Sequence, residues 1–192
     1  MKTTILIFSI CFFGLNHVPN CNAQNAPSGQ IASNKQDVMT SAPSQFPDFE
    51  TYRKNPENIN VTSILAKELE SILQAENKNQ ITVIDARSKI EYDVSHIKHS
   101  KRIGYEDFSI QRIWMVSKES QVVIYSTNKI RSRTVAQYLK LVGFSNVYVL
   151  EKGLIGWKNA KSAVYDADGL TNKIHVRNKD NAKLVKNGLA VY

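Results

Sequence analysis

From about Asn60 onward the pattern of apolar residues becomes periodic. Leu65, Leu69, Ile72 and Leu73 share one helical face, and Thr62 or Ser63 is the expected cap. "ITVID" (Ile81 to Asp85) reads as a short, β-branched strand. "SKIEYDV" reads as a helical turn or two, and "FSIQRIWMV" puts Ile110, Ile113 and Trp114 on one face. "VVIY" (Val122 to Tyr125) is a second strand. Val135, Tyr138, Leu139 and Val142 follow the i, i+3, i+4, i+7 spacing of a helix ended by Gly143. "VYVL" (Val147 to Leu150) is a third strand, and "GLIGWKNA" a short closing helix, with Trp157 most simply a core anchor.

Continuously apolar strands separated by amphipathic helices predict an α/β fold: an open parallel sheet with helices on both faces. In such folds ligands bind where strands end and helices begin. Asp85 closes one strand and Ser126 follows another, so their loops are expected to share one rim.

The ends of the chain read differently. All five prolines precede residue 60, and residues 24–59 are rich in Asn, Ser, Gln and Ala, which predicts a tether. "FPDFETY" holds three aromatics and is expected to fold back onto the domain. Residues 164–192 are polar and basic with weak periodicity, and predict a loosely packed tail in which "TNKIHV" is a candidate strand. The expected organisation is a leader over 1–23, a linker over 24–59, a domain over 60–163 and a basic tail over 164–192.

Composition sharpens this picture at the start of the chain. Lys2 followed by the apolar run Ile5 to Leu15 and the small-x-small site Cys21-Asn22-Ala23 predicts a secretory signal and an exported protein, periplasmic or secreted. The run is about half the ~20 residues that a membrane span needs. Cleavage after Ala23 would remove both cysteines, Cys11 and Cys21, and with them any disulfide or thiol chemistry. The net charge of +8 suits an acidic partner or a small anion. Expected export and the lack of an aromatic-basic stripe argue against nucleic acid. Oligomeric state is not legible.

The chemistry concentrates in "VVIYSTNKIRSRTVAQYL", a strand, a polar loop and a helix expected to start near Ser132. Such a helix start presents free amides and about half a positive charge to an anion. The predicted anion-binding loop is Ser126, Thr127, Asn128, Lys129, Ile130, Arg131 and Ser132, with Arg131 adding a fork of donors and Lys129 a second charge. Ser126 is a poor nucleophile without an evident base. Asp85, Arg87, Glu91 and His96 are supporting candidates, each of which also has an ordinary reading: loop-orienting for Asp85 and Arg87, an exposed or ion-paired Glu91, a hydrogen-bonded structural His96. His96 and His99 lack an evident third ligand, so neither a metal nor a cofactor is expected.

Three ordered segments carry a resemblance. "VIDARSKIEYDVSHI" is similar to the first half of a rhodanese domain at Asp85, Arg87, Glu91, Tyr92, His96 and Ile97, with Ser95 where the family has Gly. "YSTNKIRS" resembles the family's active loop, Cys-x-x-Gly-x-Arg-Ser, at Arg131 and Ser132. "GFSNVYVLEKGLIGW" resembles its closing segment at Gly143, Val147, Leu150, Gly153 and Trp157. The resemblance implies a rhodanese-like sulfurtransferase fold over about Asn60 to Ala163, and a loop cysteine that carries sulfur as a persulfide. Ser126 stands in that place and Lys129 replaces the loop glycine. An alkanol is nearly as hard to deprotonate as water, and oxygen stores no sulfur. The expectation is therefore a non-catalytic module that binds a small anion or an acidic protein segment. The alternative is a sulfurtransferase or another enzyme with an unrecognised nucleophile.

Overall fold

The computed structural model describes residues 46–75 and 81–192. Its elements run α1 (Phe49–Lys54), β1 (Thr62–Ile64), α2 (Ala66–Gln74), β2 (Ile81–Asp85), α3 (Lys89–Val94), β3 (Lys101–Arg102), β4 (Gln121–Tyr125), α4 (Lys129–Leu141), β5 (Asn146–Leu150) and α5 (Gly153–Asn159). Then come β6 (Val164–Asp166), β7 (Gly169–Thr171), β8 (Lys173–His175), α6 (Lys179–Ala182) and β9 (Leu189–Val191). The secretory signal and most of the proline-bearing tether fall outside the described residues. Among the described residues no helix is long and apolar enough to cross a membrane.

The main sheet is wholly parallel, in the order β1-β5-β4-β2-β3. β4 lies at its centre, paired with β2 from Ile81↔Gln121 to Asp85↔Tyr125 and with β5 from Gln121↔Asn146 to Ile124↔Val149. Side chains alternate along a strand, so β4 feeds two cores. Val122 and Ile124 join Ile84, Val135, Leu139 and Val147 on one face. Val123 and Tyr125 join Val83, Leu69, Leu154 and Trp157 on the other. Each such side chain contributes about 1.5–3 kcal/mol by leaving water, which is why β4 is apolar from Val122 to Tyr125 and not alternating. The parallel register also brings the carboxyl ends of β2, β4 and β5 to one rim.

"FPDFETY" does fold back. Asp48 caps α1 by accepting the Thr51 amide at 2.9 Å, and Phe49 stacks on Phe108 with centroids 3.9 Å apart. Phe49 and Tyr52 also meet Tyr138 on α4, each at 5.2 Å.

Four local expectations need correction. Thr62 and Ser63 do not cap α2; they pair with β5 in an edge strand, and the Leu65 amide donates to Glu68 Oε2 at 2.9 Å instead. The segment Ile110–Ile113 is a 3-10 turn. At three residues per turn Ile110 and Ile113 eclipse, and Trp114 falls outside their face, 75% exposed. α4 begins at Lys129, three residues before the expected start, so Lys129 to Ser132 form its first turn. The carboxyl-terminal stretch is not loosely packed: Val164, Ile174 and Val176 are fully buried in the second core. There β6 and β7 form an antiparallel hairpin, β8 and β9 pair in parallel, and Tyr165 bridges His96.

Candidate functional site

Ser126 follows β4 and is 1% exposed. Its Oγ accepts the Asn128 amide at 3.2 Å. Asn128 caps α4: its Oδ1 accepts the amides of Ile130 at 2.8 Å and Arg131 at 3.4 Å. Two of the amides expected to face an anion are thus already satisfied by a side chain. Ser132 Oγ turns back to donate to the Lys129 carbonyl at 3.2 Å. Lys129 occupies an ordinary helical position and is not among the residues with positive φ. The loop is clamped from the β5–α5 connection. The Leu154 amide donates to the Ser126 carbonyl at 3.0 Å, and Gly153 (φ 53°) passes so close that a Cβ there would lie 1.8 Å from that oxygen. Only glycine fits this approach.

On the α3 side of the rim the buried charges are paired. Arg131 donates through Nη1 and Nη2 to the two Glu91 oxygens, each at 2.9 Å, and Nη2 also donates to Thr127 Oγ1 at 3.0 Å. Arg131 and Glu91 are both buried, and Glu106 approaches Arg131 at 3.5 Å. The fork expected to serve the loop is therefore committed to Glu91, because α3 delivers that carboxylate against it. A capping box fixes α3 in turn: the Ser88 amide donates to Glu91 Oε2 at 3.1 Å, and Ser88 Oγ accepts the Glu91 amide at 3.3 Å. Burial alone would raise the Glu91 carboxyl, but Arg131's hydrogen bonds and charge bring it down to about 2.

Asp85 and Arg87 form a second closed pair, fully buried, at 2.6 Å. Arg87 also donates to the Ser95 carbonyl at 2.6 Å. Ser95 has a φ of −172°, extended backbone that needs no glycine. Tyr125 Oη accepts the Ile97 amide at 3.2 Å, and burial pushes the phenol well above its usual range. His96 stacks on Tyr92 with centroids 4.1 Å apart, and its Nδ1 lies 3.1 Å from the Tyr92 carbonyl. Asp85, Arg87 and His96 hold the loops together. Among the described residues neither a histidine nor a carboxylate hydrogen-bonds to Ser126, and no group of three metal-ligating side chains gathers.

The α5 side differs. A cavity of about 880 Å³ opens there, lined by Ser126, Thr127, Lys129, Lys152, Leu184 and Lys186 among others. The three lysines come from separate segments, are exposed, and have no ion-pair partner among the described residues. Lys152 sits in the left-handed region at φ 58°, a conformation costing a side chain about 1–2 kcal/mol. Lys186 is placed by Asn159, whose Oδ1 accepts its amide at 2.7 Å. Among the described residues Glu151 is the one acid on the lining. Lys152 and Lys186 were not legible as site residues: nothing but a general basic excess marks them in the sequence.

A five-stranded parallel sheet, a short loop from Ser126 to Asn128 that leads into the first turn of α4, and the Asp85–Arg87 and Glu91–Arg131 pairs define a rhodanese-like architecture. The family profile for the rhodanese-like domain matches residues 65–160, and the chain belongs to that family. Curated relatives include a tRNA uridine(34) hydroxylase of Onion yellows phytoplasma (strain OY-M), 29% identical over 108 residues, covering 53% of this chain and 35% of that protein. Another tRNA uridine(34) hydroxylase, of Shouchella clausii (strain KSM-K16), is 28% identical over 116 residues, covering 57% and 36%. The chain thus matches about a third of the length of these relatives. The crystal structure of the Alr3790 protein from Anabaena sp. superposes with a TM-score of 0.50 at 23% identity, covering 54% of this chain and 81% of that one, a likeness of fold.

Proposed function

We propose that this chain is an exported, non-catalytic rhodanese-like module that binds an anion beside the former active-site loop. The observation that carries the reading is the convergence of Lys129, Lys152 and Lys186 on a cavity floored by Ser126. A serine hydroxyl that accepts the Asn128 amide and has no base beside it supports binding over chemistry. The loop contributes through Ser126, Thr127 and Lys129, while Arg131 serves the fold. Three exposed cations at up to ~1 kcal/mol each correspond to a dissociation constant on the order of ten millimolar for an inorganic anion.

The test is a thiosulfate–cyanide sulfurtransferase assay run beside equilibrium dialysis with labelled thiosulfate. Saturable thiosulfate binding without turnover is expected. Turnover that disappears in Ser126→Ala overturns the reading. Export rests on Lys2, the apolar run and the site ending at Ala23, and predicts that intact-mass analysis of cell-exported protein finds a chain starting at Gln24.

A second reading, an enzyme of the rhodanese-like family, is favoured by one observation: the curated relatives are named tRNA uridine(34) hydroxylases. It requires a nucleophile or partner other than Ser126. Activity on tRNA that survives Ser126→Ala would favour it.

A further inference from the structure

The cavity is larger than any inorganic anion needs. At about 880 Å³ it lies at the upper end of sites that enclose drug-sized ligands. It also continues. A second cavity of about 220 Å³ shares Glu151, Lys152 and Gly156 with the first and extends to Leu65, Ala66 and Lys67 at the start of α2. Gly156 keeps the junction low: a Cβ there would lie 2.5 Å from Lys152 Cβ and 2.9 Å from the Glu151 carbonyl. The two cavities adjoin at these residues, and taken together they reach from the Ser126 loop to the amino end of α2.

Cations are distributed along this cleft. Lys129 and Lys186 line the first cavity, Lys152 both, and Lys67 the second. Leu184, 56% exposed, lines the first cavity beside the buried Leu150 and Ile155, and the second presents Leu65, 49% exposed. Ser63 adds an exposed hydroxyl suited to a peptide backbone, while Thr127 and Asn159 are engaged within the protein. An aliphatic carboxylate has a single charge at one end and would leave three of the four lysines unpaired. A segment with several carboxylates and apolar side chains between them pairs with more than one lysine and also meets the exposed Leu184 and Leu65.

We propose that the cleft binds an extended acidic peptide segment with interspersed apolar side chains, seated from the Lys129–Lys186 end to Lys67 and Leu65. This rests on the anion-binding reading above and deepens it.

Fluorescence anisotropy with a labelled hexapeptide of alternating Asp and Leu, compared with sulfate and dodecanoate as competitors, tests it. The hexapeptide is expected to bind at least about ten-fold tighter than sulfate, since further lysine contacts of up to ~1 kcal/mol each are engaged. Lys67→Glu places an acid in the first turn of α2, which the helix tolerates. It should lower the ratio of hexapeptide to sulfate affinity by about three-fold or more. Equal affinity for hexapeptide and sulfate, a ratio indifferent to Lys67→Glu, or dodecanoate binding as tightly as the hexapeptide overturns the proposal. Sulfate binding that is weakened by Lys129→Glu, with the ratio indifferent to Lys67→Glu, removes this inference alone. Absence of sulfate binding, with Lys129→Glu silent, removes the anion-binding reading with it.

Discussion

The two sides of the Ser126 loop are built from the same kinds of residue and end in opposite states. Toward α3, Arg87 and Arg131 are buried against Asp85 and Glu91, their charges spent inside the protein. Toward α5, Lys129, Lys152 and Lys186 stand on an open cavity with no carboxylate engaged. A buried cation left alone would be costly, so the guanidinium groups come with partners. An exposed ammonium remains hydrated and needs none. The fold thus closes one side of the loop on itself and leaves the cations of the other side exposed. A motif arginine is a poor guide to where an anion binds when an acid of the same domain already faces it.

The sharpest way to break this contrast is to open the closed side. Glu91→Ala removes both close carboxylate contacts of the buried Arg131, leaves only the half-exposed Glu106 at 3.5 Å, and should cost about 3 kcal/mol in urea unfolding. Replacing both, as Glu91→Leu with Arg131→Met, should recover most of that loss. If Glu91→Ala is nearly silent, the pair is not structural and Arg131 is free to serve a ligand.

Acid titration sharpens the same point with a smaller effect. Glu91 has a folded value of about 2, below its ordinary 4.5. A depressed carboxyl contributes stability that is fully present above pH 4.5 and is lost as pH falls toward 2. The loss should be on the order of 2–3 kcal/mol across that window, and Glu91→Gln should remove this share of the pH dependence.

The open side should behave in reverse. Lys129→Ala and Lys186→Ala should each change stability by no more than about 0.5 kcal/mol while weakening thiosulfate binding several-fold. Lys152→Gly relieves a left-handed side chain and should raise stability by up to ~1 kcal/mol while lowering thiosulfate affinity. Opposite signs in thermal denaturation and dialysis would show that Lys152 is kept for the ligand.

The parts of the molecule that were legible follow from local rules. The apolar runs at Ile81 and Val122, the 3.6-residue period from Val135 to Val142 and the stop at Gly143 each fix an element from its own residues. Glu91, Arg131 and His96 were legible as candidates through the resemblance, but their roles depend on what faces them. The Glu91–Arg131 pair joins residues 40 apart, and no periodicity encodes it. The start of α4 was misplaced because Asn128 caps it from inside the loop. Thr62 and Ser63 look like caps, and partnership with β5, distant in sequence, makes them a strand. Lys152 and Lys186 reach the cavity only through the Gly153 turn and the Asn159 clamp on the carboxyl-terminal segment.

The most direct test of where the anion binds is an NMR titration of the folded chain with sulfate. The largest amide shifts are expected at Thr127 to Lys129, Lys152 and Lys186, and they should vanish in the Lys129→Ala/Lys186→Ala double variant. Shifts centred on Glu91 and Arg131, or scattered over Lys173 to Lys183 and unchanged in the double variant, would contradict an open, lysine-lined site.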